Sequence, residues 1–130
     1  MIGMKVRIED RTKRVKKKAK EANFKSLGHA GAAIRLTARR SIRKRQTASA
    51  PGKPPHTRKG QLRRAVMYAV EQQQERVVIG PEFARVGPSA MAHEFGGRFR
   101  GQRFSRRPFM GPALMKIKDR LPRKWAGSVR

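Results

Sequence analysis

A repeating apolar stripe across residues 23–45 sets the strongest limit on how this chain can fold. Apolar or small side chains recur there every three or four residues, the spacing that places them on one face of an α-helix. The stripe consists of Phe24, Leu27, Gly31, Ile34, Ala38 and Ile42. Arg35, Arg39 and Arg43 occupy another side at i, i+4 spacing. The pattern predicts an amphipathic helix of about five turns across a core, with small residues around Gly31 allowing close approach.

The sequence after this helix predicts a small antiparallel sheet. Residues 46–61, QTASAPGKPPHTRKGQ, contain three prolines and two glycines, which prevent the helix from continuing. The stretch VMYAVEQQQERVVIGP then places two apolar-rich runs on either side of a polar turn. That arrangement is typical of a β-hairpin.

Two short helices are predicted further along the chain. Pro88 and the pair Gly96–Gly97 bracket the first of them, because proline favours the first turn of a helix and glycine its end. The second is GPALMKIKDRL, with Leu114, Ile117 and Leu121 on one face and Pro122 ending it. The predicted fold class is α+β: a small antiparallel β-sheet, a long amphipathic helix across one face and a short C-terminal helix.

Charge is distributed very unevenly in this chain, whose formal net charge is +26. Residues 1–64 hold 21 basic and 3 acidic side chains (net +18), residues 65–97 hold 2 and 4 (net −2), and residues 98–130 hold 11 and 1 (net +10). Such an excess favours a polyanion or an acidic protein surface as partner. We expect a basic N-terminal arm at residues 1–22, a single α+β domain at residues 23–121 and a basic C-terminal tail at residues 122–130.

Several classes of function are disfavoured by the residues that the chain lacks. It has no cysteine, and its three histidines are far apart in sequence. His93–Glu94 is not followed by a second histidine at the zincin spacing, and no nucleophile lies in a recognisable motif. Nothing is apolar enough for a signal peptide or a membrane span. We therefore expect no catalysis, no metal, no cofactor and no membrane contact, and a protein made in a cytoplasm.

The segment RFRGQRFSRR interleaves arginines with two phenylalanines, a pattern that allows two interpretations. The phenylalanines could stack on bases while the arginines contact phosphates. Alternatively Phe99 and Phe104 face the core, which is favoured because the chain has few other large apolar residues. A charged partner is expected for the basic residues in either case. The predicted contacts to a polyanion or an acidic partner are Lys13, Arg14, Lys16, Lys17, Lys18, Lys20, Arg98, Arg100, Arg103, Arg106 and Arg107.

Three short motifs follow the long helix in a distinctive order. The first contains Pro54–Pro55, Gly60 and Leu62, the second is Glu94-Phe95-Gly96, and the third is RPFMGPAL at residues 107–114. In this order and spacing the chain resembles the small head–tail connector, or tail-completion, proteins of long-tailed bacteriophages. These proteins are often labelled minor tail components or virion morphogenesis proteins. The resemblance covers roughly residues 26–121, although Lys59 stands where the family often has threonine.

The resemblance implies a structural virion protein with no catalytic role. It implies assembly into a ring, with six subunits as the expected number, in the neck between portal or adaptor proteins and tail-tube or tail-terminator proteins. Transiting DNA would pass through the ring lumen, and the particle would be assembled in the host cytoplasm. The residues expected to serve packing and turns are Gly60, Leu62, Glu94, Phe95, Gly96, Pro108, Phe109 and Pro112.

Within this set, Gly96 and its neighbour Gly97 should permit a turn with positive φ. Pro108 and Pro112 bracket Phe109 and should hold it at a strand-to-helix corner, where it anchors the core. The alternative interpretation is a basic nucleic-acid-binding protein of ribosomal or nucleoid type. In that case the basic ends would contact RNA or DNA directly.

Overall fold

The first regular element, helix α1 (Thr12–Ser41), carries the predicted apolar stripe and extends it toward the N-terminus. The structure is a computed structural model that describes residues 3–4 and 11–128. At 1.5 Å per residue the helix is about 45 Å long. It starts eleven residues before the expected domain boundary at residue 23, so residues 12–22 of the basic arm are helical and continuous with the domain. Residues 1–2 and 5–10 of that arm lie outside the described residues.

The buried face of α1 matches the predicted stripe at all but one position. Leu27, Gly31, Ile34 and Ala38 are buried, and Ile42, the residue after the helix, has no exposed surface. Phe24 differs, because its side chain is 43% exposed at a level of the helix that the rest of the chain does not cover fully.

A β-hairpin packs against α1. The chain first forms β1 (Arg43–Lys44), which pairs in parallel with β2 (His56–Thr57), and then the short helix α2 (Gln61–Ala65). Strands β3 (Val66–Glu71) and β4 (Arg76–Pro81) follow and pair antiparallel, as the sequence predicts. Their register runs from Val66 opposite Pro81 to Glu71 opposite Arg76.

The contact between helix and hairpin depends on Gly31. A Cβ atom at this position would lie 2.7 Å from both Tyr68 Cδ2 and Val77 Cγ2. Cβ atoms in real proteins do not approach other non-bonded heavy atoms so closely. Tyr68 belongs to β3 and Val77 to β4, so both strands contact the helix at this glycine. Glycine is thus required by close approach, as the small residues of the stripe predict.

The C-terminal half consists of short elements. They are α3 (Phe83–Val86), α4 (Ser89–Phe95), β5 (Gly97–Phe99), β6 (Gln102–Phe104), α5 (Met110–Ile117) and a 3₁₀ helix (Lys118–Lys124). Helix α4 begins after Pro88 and ends at Gly96, as predicted. Strands β5 and β6 form a second hairpin, whose two-residue turn has positive φ at Arg100 (51°) and Gly101 (76°). Those angles are typical of a type I′ turn.

The C-terminal helix differs from its prediction in two respects. Ala113 and Ile117 are its buried residues, whereas Leu114, predicted on the buried face, is 43% exposed. Pro122 does not end the helix but lies inside the 3₁₀ segment. The α-helix gives way to that segment at Lys118, so Leu121 follows a different helical period from the one assumed.

One apolar core joins these elements, and Phe109 is its largest fully buried side chain. The core cluster consists of Ala38, Ile42, Leu62, Val66, Ala90, Phe109 and Ala113. It therefore draws on α1, α2, β3, α4 and α5. The fold class is α+β, with a long helix, small antiparallel sheets and a short C-terminal helix, as predicted.

The end of the described chain returns to the middle of α1. The indole N–H of Trp125 donates a hydrogen bond to Asn23 Oδ1 (2.8 Å), and Ser26 Oγ donates to the backbone oxygen of Lys124 (2.8 Å). The first residues of the expected C-terminal tail are thus attached to the domain. In the described part of the chain no helix is both long and apolar enough to span a bilayer.

Candidate functional site

The side chain of Glu94, in α4, caps the N-terminus of α5. Its carboxylate accepts three backbone N–H groups: those of Phe109 (2.8 Å) and Met110 (3.0 Å) at Oε2, and that of Gly111 (2.9 Å) at Oε1. The first N–H groups of a helix have no partner within the helix. A carboxylate there satisfies them and also interacts favourably with the positive end of the helix dipole. Two motifs that are separate in the sequence are therefore one structural unit.

The segment between β6 and α5 is attached on both sides. The backbone N–H of Arg107 donates to the backbone oxygen of His93 (2.6 Å), one residue before the capping glutamate. The side-chain Nε of Arg107 donates to the backbone oxygen of Ser49 (2.9 Å), in the proline-rich connection. The N–H of Gly52 in turn donates to the oxygen of Arg106 (2.8 Å). We call this set, Ser49, Gly52, His93, Glu94, Arg106, Arg107 and Phe109, the motif junction.

Gly96 turns the chain away from α4 toward this junction. Its φ is +73°, and that of Gly97 is +120°, so both adopt the backbone conformation expected of them. A Cβ at position 96 would lie 2.9 Å from Arg106 Cγ and 3.3 Å from the oxygen of Phe104. Both conformation and space therefore favour glycine at position 96.

His93 is a half-buried titratable group within the junction. Burial, and then the charge of Arg107, lower the pKa of its imidazole. Its ring meets Phe104 edge-on with the centroids 6.5 Å apart. Its Nδ1 has no hydrogen-bond partner among the described residues. The neutral imidazole is therefore the form that this environment favours.

The remaining motif residues are mostly structural, with one exception. Gly60 has a φ of +80°, and its N–H donates to Thr57 Oγ1 (3.1 Å) at the start of α2. Leu62 lies in the core cluster. Pro108 is half-buried, and Pro112 is exposed in the first turn of α5. Phe95 is 68% exposed, so its assignment to packing is wrong within a single chain. The helix turns its side chain outward, while its neighbours Glu94 and Gly96 face the junction.

The predicted polyanion contacts fall into two exposed groups on different parts of the fold. The first group, Lys13, Arg14, Lys16, Lys17, Lys18 and Lys20, lies on the N-terminal half of α1. The second, Arg98, Arg100, Arg103 and Arg106, lies on and beside the β5–β6 hairpin. Arg107 does not fit this assignment, because it is half-buried and its Nε is bonded to Ser49. Phe104 is partly buried, whereas the side chain of Phe99 lies outside what the structure describes.

A third basic surface was not anticipated from the sequence. Five cationic side chains line a groove of about 730 Å³ between the end of α1, the proline-rich connection and α5. They are Arg40, Arg43, Lys53, Lys116 and Arg120. We call this surface the basic groove. The i, i+4 spacing of Lys116 and Arg120 was the available signal, but only the fold brings them near Arg40 and Arg43.

Three large apolar side chains on α3 and α4 face solvent. Phe83 is 69% exposed, Met91 64% and Phe95 68%.

Among the described residues no group of three or more His, Cys, Asp or Glu side chains is arranged to hold a metal ion. Comparisons with protein-family models, curated proteins and solved structures found no match to this chain.

Proposed function

We propose that this protein is a structural subunit of a ring in the neck of a long-tailed bacteriophage, where it joins the portal or adaptor region to the tail. The observation that carries the proposal is the motif junction. The Glu94-Phe95-Gly96 motif and the Arg107-Pro108-Phe109 motif are far apart in sequence, yet Glu94 caps the helix that the second motif begins. Such a shared structural role explains why the resemblance involves both motifs.

The arrangement of the elements also supports this function. The resemblance implies a long helix across an antiparallel sheet, and α1 lies across the β3–β4 hairpin with Gly31 at the contact. The tasks that the resemblance assigns to these motifs are conformational. Capping, tight turns and corner packing are the tasks that Glu94, Gly96 and Phe109 perform here. We therefore propose no catalytic residue and no cofactor.

Phe95 supports an assembly role in particular. It belongs to the motif, yet its side chain is exposed, as are those of Phe83 and Met91 nearby in sequence. A closed ring of identical subunits needs a head-to-tail contact between two different surfaces. Exposed apolar side chains are suited to one side of such a contact. We assign Phe95 to the contact between neighbouring subunits.

The charge of the subunit determines which other neighbours it needs. Its copies carry 34 basic and 8 acidic side chains each, so a ring of them cannot neutralise itself. Acidic surfaces of the portal, adaptor or tail proteins and the DNA in the lumen are the proposed partners. We expect Arg98 and Arg103 to lie nearer to acidic residues of a neighbouring protein than to the channel axis.

The decisive experiment measures the oligomeric state of the purified protein at high salt, by mass photometry or sedimentation velocity. We expect a closed ring, with six subunits as the first candidate. Phe95→Ser should shift the population toward monomer, whereas Leu36→Ser, at an exposed apolar position of α1, should not. A monomer that carries nuclease-sensitive nucleic acid would contradict the proposal and favour the ribosomal or nucleoid alternative.

A further inference from the structure

The basic groove concentrates positive charge that no described acidic side chain in its lining balances. Arg40 and Arg43 line one wall at the end of α1, Lys116 and Arg120 line the other on α5 and the 3₁₀ helix, and Lys53 comes from the proline-rich connection. All five side chains are exposed, and no acidic residue lines the groove within the part of the chain that the structure describes. Like charges grouped in this way repel one another and attract a negatively charged ligand.

A second copy of this chain is a poor source of that negative charge. Of the acids that the structure describes, Glu71 pairs with Arg76 and Glu82 pairs with Arg85. The carboxylate of Glu94 is occupied by the backbone of α5. The others, Glu21, Glu75 and Asp119, lie on separate elements and form no cluster. The described acids therefore offer no concentrated negative charge that would match the groove, which favours a different molecule as its ligand.

Charge density favours phosphate groups over protein carboxylates as the ligand of the groove. Three of its five cations are arginines, whose planar guanidinium pairs with either group through two parallel hydrogen bonds. Duplex nucleic acid carries about one negative charge per 1.7 Å of axis, whereas protein surfaces commonly intersperse both signs. The groove also has no Phe, Tyr or Trp in its lining, so it offers no platform on which bases could stack.

We propose that the basic groove binds the phosphate backbone of a nucleic acid, without reading its base sequence. The proposal assigns this role to residues outside the N-terminal half of α1 and the β5–β6 hairpin. It does not depend on ring formation, because one chain supplies all five cations. The groove is expected to bind in a monomer and in an assembled ring alike.

The test compares two triple variants of equal net charge, +23 instead of +26. The groove variant carries Arg43→Gln, Lys116→Gln and Arg120→Gln. The control variant carries Lys25→Gln, Lys59→Gln and Arg63→Gln at exposed positions outside the groove. Fluorescence anisotropy with a labelled duplex DNA of arbitrary sequence gives the affinity at several salt concentrations. Thermal melts by circular dichroism establish that both variants are folded.

Each phosphate contact contributes about 0.9 to the slope of log affinity against log salt concentration. If all three substituted side chains contact phosphate, the slope measured for the groove variant should be smaller in magnitude by about 2.7. Each lost contact should lower the affinity about eightfold at 0.1 M salt, relative to 1 M salt. The control variant should lose less than about 1 from the slope. A second duplex of unrelated sequence should give the same values.

Two outcomes would overturn the proposal. Equal losses in both variants would mean that DNA responds to net charge and not to the groove. A groove variant that loses affinity for poly-glutamate but keeps its slope for DNA would identify the ligand as an acidic protein. If the triple groove variant does not fold, the double variant Arg40→Gln, Lys53→Gln should still lower the slope, by about 1.8. An unchanged slope in that double variant would also overturn it.

Discussion

Glu94 Oε2 accepts the backbone N–H of Phe109 at 2.8 Å, so a side chain of α4 holds the first residue of a corner that lies fifteen positions later. Phe109, whose backbone N–H is bonded in this way, also has the largest fully buried side chain of the core. The polar contact fixes the backbone of this corner, and the apolar contact fixes its side chain. Removing either one tests a different part of the same structural unit.

Glu94→Ala should lower the free energy of unfolding by about 2–4 kcal/mol. The change removes a helix cap and leaves three backbone N–H groups without their charged acceptor. Denaturant unfolding followed by circular dichroism measures the effect. Glu21→Ala removes an exposed carboxylate from α1 and should change stability by about 0.5 kcal/mol or less. Equal effects of the two changes would contradict the capping role.

Phe109→Ala should destabilise the fold by about 3–5 kcal/mol, because it removes a buried aromatic side chain and leaves a cavity. Phe83→Ala is the matched control, since that side chain is 69% exposed. Denaturant unfolding in the Phe95→Ser background, which we expect to be monomeric, should give less than about 1 kcal/mol for the control. A loss below about 1 kcal/mol for Phe109→Ala itself would contradict its position in the core.

Gly31→Ala and Gly28→Ala should have opposite effects on stability. Alanine is favoured over glycine within a helix by about 1 kcal/mol, and a Cβ at position 28 meets nothing within 4 Å. At position 31 it would lie 2.7 Å from Tyr68 and Val77, and such overpacking typically costs about 1–3 kcal/mol. We expect a higher melting temperature for Gly28→Ala and a lower one for Gly31→Ala. Stabilisation by both would mean that the hairpin does not approach the helix so closely.

Stability should fall with acidification below pH 6.5, and His93 should contribute to the decrease. Burial and Arg107 lower the pKa of this histidine from its ordinary value of 6.5, so the unfolded chain binds the proton more readily than the folded chain. Its contribution is fully present above pH 6.5 and is lost as pH falls toward the folded-state pKa. The slope is at most about 1.4 kcal/mol per pH unit.

His93→Gln should flatten this part of the stability profile, measured by denaturant unfolding between about pH 5 and pH 7. His29→Gln, at an exposed position of α1, provides the control. If both variants keep the slope of the original protein, another group is responsible for it.

Elements with a local signal could be predicted from the sequence. The β3–β4 hairpin and α4 were found because alternation, Pro88 and Gly96 act over a few residues. The Glu94 cap could not be found in this way. Its acceptor and donors are 15–17 residues apart, and no periodicity connects them. The basic groove needs three elements to come together, which only the fold establishes.

The start of α1 and the exposed face of α5 show a second limit. Residues 11–20 contain only Val15 and Ala19 as spaced apolar side chains, which is equally typical of a solvated helical arm and of disorder, yet the helix extends from Thr12 through this stretch. Leu114 fits the apolar period of its helix but is 43% exposed, because Ala113 and Ile117 occupy the buried side. Periodicity identifies a face, but the rotation of that face toward the core depends on tertiary packing.

The hydrogen bond between Trp125 and Asn23 gives this molecule a built-in optical reporter. Trp125 is the only tryptophan in the chain. Its indole N–H donates to Asn23 of α1, next to the exposed basic residues in the N-terminal half of that helix. Its emission therefore reports on a single site, with no background from other indoles. If the C-terminal segment separates from α1 before the core unfolds, the emission maximum will shift to longer wavelength at a lower denaturant concentration than the loss of helical circular dichroism. Asn23→Ala should widen the interval between the two transitions.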